Sequence, residues 1–390
     1  MRVNLLPAVQ SVTGAGKVRR SAGVEQRMTA LPAPARTRLW TPRHVVVTRS
    51  AAERPHTAEI LRRVEAAGVD DVEFLRGDRI TGLRGADERA TYARAKATLA
   101  VVVSPPSKRK LQPIPPSADW RVDLAEGCPA HCQYCYLAGS LAGPPVTRVY
   151  ADLDEILAGL DAYVGTGHVT SGTEARGHEG TTFEASCYTD PLGIEHLTGS
   201  LAATIAHVGT HDFGGPVQLR ATTKFGAVGP LLDLPHGGRT RIRSSVNSAS
   251  AARFEGGTDP VPTRLAGLGA LARAGYPVGL TIAPIMPEGD WRAEYGALLD
   301  AAAAELAAVP GLDLTVECIT HRFTPGSKQV LEGWYPRTKL EMDPDARSRK
   351  FGKFGAVKYV YPAETMREMR AWFETALADR LPVARTLYWT

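Results

Sequence analysis

Cysteine is scarce: the chain of 390 residues has five, an odd number, and three of them fall between Cys128 and Cys135. That distribution excludes a disulfide-stapled secreted scaffold, which is short and spreads paired cysteines along its length. Long apolar runs are missing too. Nothing approaches the roughly 20 apolar residues of a membrane-spanning helix. The amino-terminal "MRVNLLPAVQSVTGAGKVRRSAG" has no continuous apolar segment ahead of a cleavage site. These absences predict a cytoplasmic protein with no membrane partner. A net charge of +5 is small for this length; it permits a polyanionic partner without requiring one.

What is present suffices for a full core, since 44% of the residues are hydrophobic. Residues 1–40, rich in Arg, Ala, Pro and Gly without periodicity, read as a disordered tail in which Met28 is a candidate start. Residues 41–119 read as a small α/β lobe built from "RHVVVT", "TAEILRRVEAAG", "DVEFL" and "DERATYARAKATLAVVV". The Pro-rich "SPPSKRKLQPIPPSADW" closes it as an extended connector. Over 120–390, the strands "TRVYA", "TTFEASC", "VQLRATTK", "TRIRSSVN", "PVGLTIAPI" and "LDLTVECIT" alternate with helical stretches. Such alternation predicts parallel strands with crossover helices, as a doubly wound sheet or a barrel. The segment "GTGHVTSGTEARGHEGT", over 165–181, reads as a mobile surface insertion.

In parallel α/β folds, reactive groups gather at the carboxyl ends of the strands. Those ends carry Cys187, Lys224, Asn247, the "API" turn from Ala283 to Ile285, and Thr320 to Arg322. Cys318 lies inside an apolar strand and reads as a packed side chain. Cys187 sits among Glu184, Ser186, Tyr188 and Asp190, too polar a setting for a core strand. Cys128, Cys132 and Cys135, spaced C-x3-C-x2-C, provide three thiolates. A structural zinc site needs a fourth ligand, from Cys187 or a remote histidine, because His131 is badly placed. An iron–sulfur cluster on three thiolates instead leaves one iron open to a small chelating molecule. Near the carboxyl end, "KFGKFGAVKYVYP" interleaves basic and aromatic residues in a hairpin. That composition suits phosphates and unpaired bases, and equally an edge protected by lysines.

The three-cysteine loop resembles that of the radical S-adenosylmethionine (SAM) superfamily. The segments "GCPAHCQYCYL", "FEASCYTDPLGIEHLTGSL", "TTKFGAVGPLLDLPHGGRTRIRSSVN", "GYPVGLTIAPI" and "ITHRFTPGSKQVLEGWYPRTKLEMD" resemble, in order, the spore photoproduct lyase family, over most of Leu124 to Thr390. The resemblance implies an α/β fold, a partial (β/α)6 barrel with a small amino-terminal lobe and a carboxyl-terminal hairpin plus helix. It implies a [4Fe-4S] cluster on Cys128, Cys132 and Cys135, with SAM on the open iron. Thr189, Lys224, Ser245, Asn247 and Ala283 match cofactor contacts, Thr189 standing where a serine is expected. Cys187 would donate a hydrogen atom to a thymine radical, and Tyr134 and Tyr136 would relay the radical onward. The substrate implied is damaged DNA carrying a methylene-bridged thymine dimer, and the reductant a flavodoxin or ferredoxin serving a monomer. Lys353 and Phe354 occupy the place of an Arg-Tyr pair at the lesion, losing a bidentate fork and a phenol hydroxyl. Two alternatives stand beside this reading: a related enzyme for another pyrimidine-containing substrate, and a DNA-binding protein with a structural or redox-sensing cluster.

Overall fold

The computed structural model describes residues 39–138, 140–141, 143–168, 174–351, 355 and 357–390. The tail reading therefore lies outside the described residues up to 38, as do Lys353 and Phe354. Strands β1 (His44–Val47), β2 (Val72–Phe74) and β3 (Thr98–Val102) form a parallel lobe sheet with β1 in the middle. The chain then makes β4 (Gln112–Ile114), β5 (Ala118–Val122), β6 (Ala125–Glu126), β7 (His131–Cys132) and β8 (Thr147–Tyr150).

Here the strand reading is corrected twice. The "TRVYA" strand, β8, pairs parallel with β3 and antiparallel with β6, so it completes the lobe and not the barrel. Its Val149 packs with Val47, Leu99 and Val101 on one face of the lobe, and its Tyr150 with Ala100 and Val102 on the other. An apolar alternation says that a strand is covered, not which sheet covers it. The first barrel strand is β5, "ADWRV", concealed in the Pro-rich connector because Asp119 and Arg121 break its apolar pattern.

β9 (Thr181–Ala185), β10 (Val217–Thr223), β11 (Thr240–Val246), β12 (Glu255–Gly256), β13 (Val278–Ile285), β14 (Leu314–Thr320), β15 (Ser348–Phe351), β16 (Val357–Val360) and β17 (Arg385–Trp389) follow. The large sheet runs β17-β14-β13-β11-β10-β9-β5-β4, parallel throughout except between β4 and β5. It is the expected α/β partial barrel, with β17 added beyond β14. β7 pairs with β12, and β15 with β16 makes the hairpin. Among the described residues no helix is long and apolar enough to cross a membrane.

Alternate residues of the barrel strands face outward into one large core. Leu219, Ile242, Leu280 and Val316 meet Ile205, Leu268, Leu298 and Phe373 of the covering helices, and Cys318 packs there too. The inward positions carry charge. Arg243 pairs with Glu184 and, at 2.6 Å, with Glu317, which also takes Arg220 at 3.0 Å. Tyr388 donates to Glu317 at 3.0 Å and Ser117 to Glu184 at 2.8 Å. Gly279 makes room for this plug: a Cβ there would meet Arg243 Cγ at 2.7 Å. Part of the supposed surface insertion also turns inward, for Arg176 is fully buried, pairs with Glu179 at 2.8 Å and donates to the carbonyls of Pro116 and Ser117. Residues 169–173 of that insertion lie outside the described residues.

Candidate active site

The cysteine loop is pinned at both ends. Gly127 enters it at φ 77°, and an added Cβ would come within 2.2 Å of the Val146 carbonyl oxygen. Only glycine fits both the left-handed backbone and that approach. Farther on, β7 pairs with β12. Between them Cys128, Cys132 and Cys135 line one small cavity with Lys96, Leu137, Trp334 and Tyr335. Burial pushes the Cys128 thiol up to about 12, and Lys96 opposes that shift. Such thiols ionise on ligation to a metal rather than free in the protein.

His131 turns away: its Nδ1 meets the Tyr92 hydroxyl at 2.9 Å, and burial with the Lys96 charge lowers its pKa to about 4. Cys187 does not line the cavity, nor does any histidine or carboxylate among the described residues. Both candidates for a fourth zinc ligand therefore fail, and the donor set fits a cluster with one open position.

The parallel strands deliver the remaining candidates to one rim. Ser186, at φ 54°, is the non-glycine residue with left-handed backbone among the described residues, and it immediately precedes Cys187. Such strain persists where surrounding contacts over-determine it. Ser186 N donates to Val122 O at 2.7 Å, and Leu124 N donates to Ser186 Oγ at 3.1 Å. Cys187 Sγ lies 4.0 Å from the Glu184 carbonyl oxygen. Burial, then Glu184 and Asp123, hold its pKa well above the ordinary thiol value, so the sulfur keeps its proton at neutral pH.

Tyr136 is 61% exposed, standing in the open cleft, and its charged or ionisable neighbours are Cys187, Cys135, Glu184 and Cys128. Cys187 and the cysteine loop are thus both within electrostatic reach of its phenol. Tyr134 is placed differently. Its hydroxyl donates to Glu255, which also takes Lys224 Nζ at 2.8 Å and Arg264 at 2.5 Å. Lys224 reaches the Tyr134 hydroxyl at 3.2 Å and the Ala283 carbonyl at 3.4 Å as well.

Thr189 Oγ1 is buried without a protein partner, the pattern of a hydroxyl left for a ligand. Asn247 is committed within the protein: its Nδ2 donates to Pro284 O at 2.9 Å and its Oδ1 accepts from Tyr295 at 2.7 Å. Ser245 is buried in β11, with its carbonyl accepting from Arg264 at 2.9 Å. Sequence reasoning passed over Asp190, which accepts from Thr223 Oγ1 and Lys224 N, both at 2.7 Å, and so fixes the end of β10. It also missed Glu255, whose setting "RFEGGTD" carries no spacing signal.

A family model described as spore photoproduct lyase matches residues 40–390. The chain belongs to the spore photoproduct lyase family. It is 37% identical to the spore photoproduct lyase of Geobacillus sp. over 352 residues, 90% of this chain and 99% of the relative. It is 35% identical to that of Bacillus subtilis over the same shares. Among solved structures, a spore photoproduct lyase double mutant with bound AdoMet and dinucleoside spore photoproduct superposes with a TM-score of 0.82 at 35% identity, covering 90% of this chain and all of that one. A spore photoproduct lyase complexed with the dinucleoside alone gives 0.81 at 35% identity with the same coverage.

Proposed function

We propose that the protein is a radical SAM lyase that restores the spore photoproduct in damaged DNA to two thymines. One observation carries the residue assignment: Cys128, Cys132 and Cys135 line one cavity with no fourth protein ligand among the described residues. Cys128, Cys132 and Cys135 would hold a [4Fe-4S] cluster, and SAM would bind at the position that three thiolates leave open. Bound together, these cofactors supply the radical that removes a hydrogen atom from the lesion. Thr189, with its unpartnered hydroxyl, contacts SAM directly. Lys224, oriented by Glu255, faces the SAM carboxylate as a compact cation. Ser245 and Ala283 offer backbone and side-chain contacts at the same rim, whereas Asn247 acts by shaping the Ala283–Pro284 turn it holds.

Cys187 would then give its S–H hydrogen to the thymine radical left when the methylene bridge breaks, Tyr136 would return a hydrogen atom to the sulfur, and Tyr134 would pass the radical on to 5′-deoxyadenosine, which gives back the hydrogen taken from the lesion. The Tyr134 hydroxyl donates to Glu255 and lies 3.2 Å from Lys224 Nζ, contacts that would orient it for that relay. Lys353 and Phe354, which fall between β15 and β16 in the sequence, meet the DNA as phosphate contact and stacking ring. A flavodoxin or ferredoxin reduces the monomeric enzyme in the cytoplasm. The test is anaerobic reconstitution with iron and sulfide, then incubation with dithionite, SAM and dinucleoside spore photoproduct. Thymine and 5′-deoxyadenosine are expected together; deoxyadenosine without thymine would point to another pyrimidine-containing substrate. Cys132→Ala protein that still binds full iron and cleaves SAM would remove the cluster assignment.

A further inference from the structure

Lys96 is 8% exposed, although it closes the lobe helix Glu88–Lys96 and lysines seldom tolerate burial without an anion. Its Nζ donates to the carbonyl oxygens of Cys128 and Ala130, both at 2.5 Å. It belongs to no ion pair among the described residues. The other nearby lysine, Lys224, has its charge taken up by Glu255 at 2.8 Å. The side chain of Lys96 lines the cavity shared by all three cysteines. A buried cation whose neighbours are two carbonyls and three sulfurs is costly in the iron-free chain, and a negative occupant of that cavity offsets the cost.

We infer that Lys96 is a positioning residue through which the amino-terminal lobe fastens the cysteine loop and sets the reduction potential of the cluster. This rests on the cluster reading above. Reduction adds an electron to a group that three thiolates already make negative. A fixed positive charge at a dry site stabilises the reduced form more than the oxidised one and raises the potential. It also explains why the lobe accompanies the barrel: β6 and Lys96 hold the loop at its start while β12 holds it farther on.

The experiment is an anaerobic redox titration of reconstituted protein, followed by the paramagnetic signal of the reduced cluster, without SAM or DNA. Wild type is compared with Lys96→Met, Lys96→Gln and Lys96→Arg at equal iron content. Lys96→Met and Lys96→Gln are expected to titrate at more negative potentials, and Lys96→Arg close to wild type. Glutamine keeps a donor for the carbonyls without the charge, so a wild-type potential in Lys96→Gln overturns the inference. If Met and Gln variants shed iron while the Arg variant keeps it, the requirement for charge stands. Loss of iron from all three, with native circular dichroism, overturns it in favour of simple fit. Wild-type protein that takes up no iron would instead refute the cluster reading.

Discussion

The rim and the lumen of the barrel are made by the same strands, yet they treat polar groups in opposite ways. In the lumen Glu184, Arg220, Arg243 and Glu317 pair with one another, and Tyr388 and Ser117 donate to the two carboxylates, with Arg220 Nε and Arg243 Nε left over. At the rim Thr189 has no partner, Ser186 holds a strained backbone and Tyr136 stands in solvent. A network in which every charge meets its counter-charge stiffens the strands, whereas the rim keeps its bonding capacity in reserve. The lumen plug supports the geometry of Cys187, since Glu184 lies in β9, which ends at Ala185 and leads directly into Ser186 and Cys187.

The contrast is broken most severely by Arg243→Met, which strands Glu184 and Glu317 in the interior. A loss of about 3–5 kcal/mol is expected in chemical denaturation. A loss below 1 kcal/mol, on the scale of an exposed pair, would mean the lumen is wet.

Buried acids sharpen the comparison through pH. Burial alone would raise Glu317, but Arg243 and Arg220 outweigh it and hold its pKa below the usual value, so its stabilisation is lost on acidification. Glu195, downstream of Cys187, accepts from the backbone N–H groups of Leu201 and Ala202, and burial raises it from 4.5 to about 7. The native state binds that proton more tightly than the unfolded one. Its contribution is complete below pH 4.5 and declines as pH rises to about 7, by about 3 kcal/mol. Glu195→Gln should flatten that stretch of the stability profile; an unchanged slope would assign it elsewhere.

Cys187→Ala should cost only about 1 kcal/mol of stability. Its chemical effect is larger: deoxyadenosine still forms, thymine falls and products trapped by the reductant rise. Clean repair at wild-type yield per SAM consumed would end the donor role. The smallest effect is expected from Ser186→Gly, which relieves the left-handed strain but gives up the bond from Leu124 N. These offset to within about 1 kcal/mol. Product partition should shift toward trapped species as Cys187 loses its fixed aim, and an unaltered ratio would show that the strain serves folding alone.

Sequence by itself determined the cysteine loop, the parallel α/β class and the strand-end residues, because these rest on short spacings and on a period that local chain geometry enforces. Cys187 was legible through its polar neighbours, and the β15–β16 hairpin through its turn composition. Tertiary structure alone decided that β8 belongs to the lobe and β5 to the barrel, since sheet membership depends on which distant strand supplies the hydrogen bonds. It alone paired Arg243 with Glu184 and Glu317, Lys224 with Glu255, and Lys96 with the cysteine loop. Each of these joins residues far apart in the chain, and a lone Arg, Glu or Lys in a strand or helix carries no local mark of its partner. The physical reason is burial: a charge must find its counter-charge where the fold removes water, and where that happens is a property of the packed molecule.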